Sequence, residues 1–250
     1  MADNVIARLV YPEAKYIKSI IDVLGKLVDE VAFKITPEAV IVKAIDPARV
    51  ALIDIYLPST AFLEYEVQEE ITAGLSTGNL SKLLKKVKKG DKFVMEVSEE
   101  TVKIVIDALV RRTYKFRNLD VPVPEIPEAS LEFNVEAQLL VDVIKHAIKD
   151  AETVGDLLEL EATDENTLYL RGRGVTITET KLTTDMPALM ELIVKEPSKS
   201  AYQLEYLKHV VNLSKIAELA VIRFSTDMPM ELEFSLSEGR VKYLLAPAAV

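Results

Sequence analysis

The 250-residue chain contains 30 basic and 40 acidic residues, which gives a formal net charge of −10, and it has no cysteine. This length predicts two domains with separate cores, and the lack of cysteine excludes disulfides, thiolate zinc sites and cysteine nucleophiles. No apolar run approaches the roughly 20 residues of a membrane span and no signal-peptide h-region is present, so we expect a cytoplasmic protein.

The first predicted helix follows a short strand near the N-terminus. Ile17, Ile21 and Leu24 recur at helical spacing, and Lys18 lies off that apolar face. Gly25 should weaken the helix by about 1 kcal/mol relative to alanine, so we expect an irregular end. Alternating apolar residues then predict strands, at 31–35, 40–42 and 50–57.

The second predicted helix, 79–89, is strongly basic. Leu80, Leu83 and Val87 lie on one face, and Gly90 ends the helix. Its opposite face holds five lysines and no acid: Lys82, Lys85, Lys86, Lys88 and Lys89. Further strands are predicted at 93–97, 102–106 and 110–117.

A connector joins the two halves. Three prolines lie between 118 and 130. Proline has no backbone N–H to donate to a neighbouring strand, so these prolines favour an extended, semi-rigid segment. We therefore expect domains at 1–117 and 131–250. The connector is unusually apolar, as exposed docking segments often are.

The second half repeats the first at an offset of 127 residues. Ile17, Lys18 and Ile21 correspond to Ile144, Lys145 and Ile148, and a second window, 80–98, matches with the same offset. The repeat predicts helices at 138–151 and 203–215 and six strands, at 157–162, 167–171, 175–182, 220–224, 230–236 and 240–246. We infer a tandem duplication of one domain.

Positive charge is concentrated on the four predicted helical segments, 12–27, 79–89, 137–149 and 203–215. Together they carry +8, so the remainder carries −18. Lysines placed in this way fit phosphate contacts that are independent of sequence and sensitive to salt. The alternative is that they form ordinary solvated helix faces.

Catalytic interpretations find little support. The two histidines, His146 and His209, have no carboxylate spacing typical of a metal site. No Gly-x-Ser-x-Gly, His-Glu-x-x-His or Walker A sequence occurs. We therefore expect a protein without enzymatic activity that binds no cofactor and no metal ion.

Taken together, these features resemble the proliferating cell nuclear antigen family of DNA sliding clamps, and in particular its archaeal members. The resemblance spans the chain, and the ending Leu245-Ala246-Pro247 is especially characteristic. It rests on stretches 32–36, 44–54, 80–85, 119–128, 228–232 and 242–247.

The resemblance implies an α+β fold of two tandem clamp domains, with helices on the inner face and antiparallel sheets outside. Three chains would form a pseudo-sixfold ring around double-stranded DNA, in association with the nucleoid. The implied DNA-binding residues are Lys15, Lys18, Lys82, Lys85, Lys86, Lys88, Lys145, Lys149, Lys208 and Lys215. The inner wall should be electrostatically uneven, because the second helix of the first repeat carries more lysines than its counterpart.

The family also implies protein partners: a DNA polymerase, a flap endonuclease, a DNA ligase and a clamp loader. A short motif in each would occupy an apolar groove. The groove residues would be Ile45, Val50, Leu52, Pro124, Ile126, Pro229, Leu244, Ala246 and Pro247. Pro124 and Leu244 depart from the leucine and the aromatic residue common at these positions, so partner preference could differ.

Strand 110–117 has two interpretations: an edge protected by its charges, or an edge that pairs with strand 175–182 of the next subunit. The resemblance implies the second, with Glu179 available to the cations. The interface residues would be Arg111, Arg112, Tyr114, Lys115, Val175, Ile177 and Glu179.

The resemblance implies that the chain is a DNA polymerase processivity factor. The alternative is a clamp-fold scaffold of a checkpoint or repair complex. The sequence does not decide between a homotrimer and a heterotrimer with clamp paralogues.

Overall fold

The structure, a computed structural model, describes residues 4–125 and 131–248. Within these residues the chain divides into two compact units. The first comprises 4–49, 53–125 and 237–241, and the second comprises 50–52, 131–236 and 242–248. No helix of the described residues is long and apolar enough to cross a membrane.

The first unit combines two helices with two sheets. The helices are α1 (Ala14–Leu27) and α2 (Thr77–Leu84). The strands are β1 (Ala7–Tyr11), β2 (Glu30–Ile35), β3 (Ala39–Ile45), β4 (Ala51–Pro58), β5 (Glu64–Val67), β6 (Ile71–Ser76), β7 (Lys92–Val97), β8 (Thr101–Asp107) and β9 (Arg112–Arg117). One sheet has the order β5-β1-β7-β8-β9, and the other contains β4-β3-β2-β6.

The second unit repeats this plan. Its helices are α3 (Val141–Glu152) and α4 (Leu204–Val210), the latter continued by a 3₁₀ turn over Val211–Lys215. Its strands are β10 (Val135–Leu140), β11 (Leu157–Asp164), β12 (Thr167–Arg173), β13 (Ile177–Thr183), β14 (Leu189–Val194), β15 (Ser198–Gln203), β16 (Leu219–Phe224), β17 (Met230–Ser235) and β18 (Arg240–Leu245). They form the orders β14-β10-β16-β17-β18 and β13-β12-β11-β15.

The predicted helix faces form the core. Ile21 and Leu24 of α1, Leu80 of α2 and Ile148 of α3 are almost fully buried. Each such side chain contributes about 1.5–3 kcal/mol relative to an exposed one. The prediction that the apolar helix faces point into the core is therefore confirmed in both units.

The expected irregularity at Gly25 is wrong. Helix α1 continues through this glycine and ends at Leu27, where the Val28 N–H donates to the Leu24 carbonyl (2.9 Å). Burial of the apolar face outweighs the intrinsic penalty of a single glycine.

The predicted end of the second helix at residue 89 is also wrong, because α2 ends at Leu84. The chain then tightens: the Val87 N–H donates to the Leu84 carbonyl (3.2 Å), and Gly90 adopts a left-handed conformation with φ 87°. Val87 is nevertheless buried. The turn thus keeps the apolar periodicity of a helix, which explains the misassignment.

The starts of one other helix and of two strands also differ from the prediction. Residues 138–140 belong to β10, so α3 begins at Val141. The strands predicted at 110–117 and 175–182 begin at Arg112 and Ile177, after exposed bends. Arg111 and Val175 thus precede the strands to which the sequence assigned them.

Candidate nucleic-acid interface and protein-contact surfaces

The start of α1 and the lysine-rich turn 85–91 are tied together by two hydrogen bonds. The Gly90 N–H donates to the Glu13 carboxylate (2.7 Å), and the Ala14 N–H donates to the Asp91 carbonyl (2.7 Å). The turn therefore leaves α2 and returns to the first residues of α1. This contact places the start of α1, which contains Lys15, beside the turn, and we call the exposed lysines of these segments and of α2 the basic patch.

The patch is exposed and largely free of acidic partners. Its members are Lys15, Lys82, Lys85, Lys86 and Lys88, all of them exposed. None of them forms an ion pair with a residue that the structure describes. Lys18 differs, since it is half-buried and paired with Asp22 one helical turn later. Unpaired exposed ammonium groups are suited to phosphate, because no acid must be displaced.

The corresponding lysines of the second unit mostly have partners. Lys145 pairs with Asp142 (2.9 Å) and Lys208 pairs with Glu152 (2.7 Å). The hydrogen bond from Lys145 lowers the pKa of Asp142, and the hydrogen bond to Glu152 raises the pKa of Lys208. An acid therefore compensates the positive charge of each lysine locally.

Two further lysines of this unit complete the predicted set. Lys215 donates to the Asn212 side-chain oxygen (2.9 Å), and Lys149 is exposed without an ion pair to a described residue. The two units thus differ in the charge that is available to an anion.

The predicted groove residues are half-buried and apolar wherever they are described. In the second unit the Ala246 N–H donates to the Val50 carbonyl (2.9 Å), which makes these two residues neighbours. The same unit contains the half-buried Leu52, Pro229, Leu244 and Pro247. Ile45 and Pro124 belong to the first unit, and Ile126 lies outside the described residues.

Sequence reasoning missed a residue that anchors the beginning of the connector. The Asn118 side chain accepts a hydrogen bond from the Gly74 N–H (2.8 Å) and donates to the carbonyls of Thr72 (3.0 Å) and Ser98 (3.2 Å). The Leu119 N–H then donates to the Gly74 carbonyl (3.0 Å). An asparagine directly after a strand and before a proline-rich stretch was the available signal.

Gly74 is required for this close approach. A Cβ at this position would lie 1.9 Å from the Leu119 carbonyl oxygen. Backbone cannot withdraw from such a contact as a flexible side chain could. The connector therefore starts against β6 because β6 has no side chain at Gly74.

The predicted subunit edges are real sheet edges, β9 in the first unit and β13 in the second. On β9, Arg112 and Tyr114 are half-buried and Lys115 is exposed, while Arg111 lies 4.0 Å from Asp107. Beside β13, Val175 is fully exposed and Ile177 is 58% exposed. Apolar side chains on an open edge favour a partner strand.

Glu179 is not the uncommitted acid that the sequence suggested. Arg171 donates to it through Nε (2.7 Å) and also pairs with Glu161. Behind this pair, Glu159 accepts from Arg173 (2.6 Å) and lies 3.2 Å from Lys199. Cations of another subunit would join an existing network at Glu179.

Family models match both halves of the chain. The model of the proliferating cell nuclear antigen N-terminal domain matches residues 7–123, and that of the C-terminal domain matches residues 130–248. The chain is similar to DNA polymerase sliding clamp 1 of Aeropyrum pernix, at 39% identity over 94% of this chain and 98% of the relative. It is also similar to the DNA polymerase sliding clamp of Pyrococcus furiosus, at 37% identity over 96% and 97%.

Two solved structures share the fold. The proliferating cell nuclear antigen of Thermococcus kodakaraensis superposes with a TM-score of 0.90 at 30% identity, over 97% of this chain and all of that chain. A chain of the PCNA2–PCNA3 complex from Sulfolobus tokodaii superposes with a TM-score of 0.91 at 28% identity, with the same coverage.

Proposed function

Because the chain belongs to the proliferating cell nuclear antigen family and is a DNA polymerase sliding clamp made of two tandem clamp domains, we propose that three such chains close into a ring around duplex DNA. The ring holds DNA by topology, while the lysines supply contacts that do not depend on sequence. Residues 1–117 and 131–250 are the two domains in this proposal, and 118–130 is the connector.

The basic patch of the first unit is the observation that carries the proposal. Its lysines are exposed, lie together and have no acidic partner among the described residues. In a chain with a net charge of −10, such a concentration favours an anionic partner. Weak contacts to phosphate permit sliding, because they position the duplex without specifying a sequence.

Subunits join in this proposal through β9 of one copy and β13 of the next. Open backbone edges and the exposed Ile177 support the pairing. The cations of β9 would extend the ion-pair network that already holds Glu179. A second copy of this chain and a clamp paralogue are both compatible with these edges.

Partner enzymes bind in this proposal to the half-buried apolar residues around Val50, Leu52, Leu244 and Ala246. A DNA polymerase, a flap endonuclease, a DNA ligase and a clamp loader would each present a short apolar motif there. The clamp itself would act without catalysis, in the cytoplasm and at the nucleoid. The names of the relatives favour a polymerase clamp over the checkpoint scaffold.

Retention on DNA of different topology tests the proposal. The loaded protein should stay on closed circular DNA at high salt and should be lost after the circle is cut at one site. Equal retention on linear and circular DNA at high salt would contradict a ring. Stimulation of long synthesis by a cognate polymerase would separate the processivity factor from the scaffold.

A further inference from the structure

Strand β14 is an open sheet edge with unusual chemistry. It is the terminal strand of its sheet and pairs antiparallel only with β10. In that pairing Ile193 lies opposite Glu136 and Glu191 lies opposite Gln138. No other described strand covers its second side.

The direction of its backbone groups follows from this register. The Lys195 N–H donates to the Asn134 carbonyl across the β10 side (2.7 Å). Alternate residues of an antiparallel strand bond to the same neighbour. Residues Lys195, Ile193 and Glu191 therefore bond towards β10, whereas Val194 and Leu192 direct their N–H and carbonyl groups to the open side.

Exposed apolar side chains accompany this open backbone. Ile193 is 43% exposed, Met190 is 47% exposed and the nearby Met186 is 40% exposed. Glu191 and Lys195 are exposed as well, and neither forms an ion pair with a described residue. The edge thus offers backbone groups, apolar surface and two opposite charges.

The duplication supplies an internal comparison. The repeat offset of 127 residues maps Glu64, Glu66 and Gln68 of the β5 edge onto Glu191, Ile193 and Lys195. The β5 edge has the same geometry, because the Gln68 N–H donates to the Ile6 carbonyl (3.0 Å). In the same register Glu66 would lie opposite Glu66 of a second copy, and like charges directly opposite each other protect an edge from pairing. At β14 this protection is replaced by an apolar residue between opposite charges.

We propose that β14 pairs antiparallel with β14 of a second copy of this chain around a two-fold axis at Ile193. Leu192 then lies opposite Val194 of the second copy, so the open backbone groups bond to each other. Glu191 lies opposite Lys195 of the second copy, and the symmetry generates this ion pair twice.

The register brings the right groups together. With the axis at Ile193, the Ile193 pair and both Glu191–Lys195 pairs fall at non-hydrogen-bonded positions, where side chains approach most closely. A shift by one residue would turn the apolar and charged side chains to opposite faces. The pairing joins two chains through an edge other than β9 and β13, so it goes beyond the ring and does not depend on it.

Charge reversal tests the pairing in the full-length protein. Sedimentation velocity of the unaltered protein should show, as concentration rises towards the solubility limit, a species of about twice the assembly mass. Glu191→Lys should abolish that species, because it places two lysine pairs across the axis. The double exchange Glu191→Lys with Lys195→Glu should restore it.

Glu66→Lys on the β5 edge is the matched control and should leave the larger species unchanged. Failure to observe the doubled species, its persistence in Glu191→Lys, or its loss in the double exchange would each overturn the pairing. A chain that dimerises without forming a ring would contradict the proposed function and leave this inference intact.

Cross-linking gives a second measurement, because the chain has no cysteine. Residues at a non-hydrogen-bonded pair lie about 4.5 Å apart at Cα, within the span of a disulfide. Ile193→Cys should therefore form an intermolecular disulfide on mild oxidation, and Glu66→Cys should not. Equal cross-linking of the two variants, or none in Ile193→Cys, would contradict a two-fold axis at Ile193.

Discussion

The unequal pairing of the lysines predicts that the two domains contribute unequally to DNA binding. The perturbation is Lys85→Ala with Lys86→Ala in the first domain, compared with Lys145→Ala and Lys208→Ala in the second. Each variant removes two lysines per chain. Lys85 and Lys86 have no acidic partner among the described residues, whereas Lys145 and Lys208 already pair with Asp142 and Glu152.

The magnitude follows from counterion release. Each phosphate contact contributes about 0.9 to the slope of log K against log salt. A fourfold rise in salt therefore weakens binding roughly 3.5-fold for each contact. We expect the Lys85/Lys86 variant to lower the slope by at least about 0.9. The Lys145/Lys208 variant should change it by clearly less, because phosphate gains little from lysines that acids already hold.

Fluorescence anisotropy of a labelled short duplex, titrated with protein at several salt concentrations, measures both slopes. Thermal unfolding of each variant checks that the fold is intact, and sedimentation checks that the assembly is unchanged. An equal fall in slope for the two variants, or a larger fall for the second-domain variant, would refute the reasoning.

Three further predictions concern other parts of the chain. Gly74→Val should detach the start of the connector, because the valine Cβ would lie 1.9 Å from the Leu119 carbonyl oxygen. We expect faster proteolysis at the connector than in the unaltered protein. An unchanged cleavage rate would contradict this expectation. Ile177→Lys places a cation against the basic β9 edge and should shift sedimentation of the protein from trimer to monomer, with Val175→Ala as a milder control. Burial alone would raise the pKa of Glu159, but hydrogen bonds from the cations around it, Arg173 foremost, hold that pKa below its usual value. A lowered carboxyl pKa stabilises the fold above the unfolded-state pKa, and this stabilisation is lost as pH falls through the folded-state pKa. When the free energy of unfolding is measured from mildly to strongly acidic pH, Glu159→Gln should therefore lose less stability than the unaltered protein.

Repetition and amphipathic spacing were sufficient to predict the two-domain α+β organisation. The faces containing Ile21, Leu80 and Ile148 are buried as their spacing predicted. Short strands such as β5 and β15 were not predicted, because β5 has only four residues and β15 consists mostly of small and polar ones. The end of α2 was missed because a buried Val87 preserves helical periodicity within a turn.

The sequence predicted which residues belong to the sites, but not which of them are already held in ion pairs. The lysines could be located from the sequence, yet the contact of Lys208 with Glu152 joins residues more than 50 positions apart, and only the fold brings them together. The engagement of Glu179 by Arg171 depends in the same way on the register of β12 against β13. The role of Asn118 was missed because its three backbone partners, two on β6 and one at Ser98, are distant from it in the sequence.

Asn118 fixes the position at which the connector begins, independently of the residues that the connector contains. Its side chain binds three backbone groups, so the departure point does not depend on the side chains that follow, as long as β6 keeps a glycine at position 74. Substitutions beyond residue 119 can therefore accumulate without displacing the first domain. If the connector contributes to partner binding as proposed, a clamp lineage could change its partners through substitutions in this short segment, while the folded domains stay under separate selection.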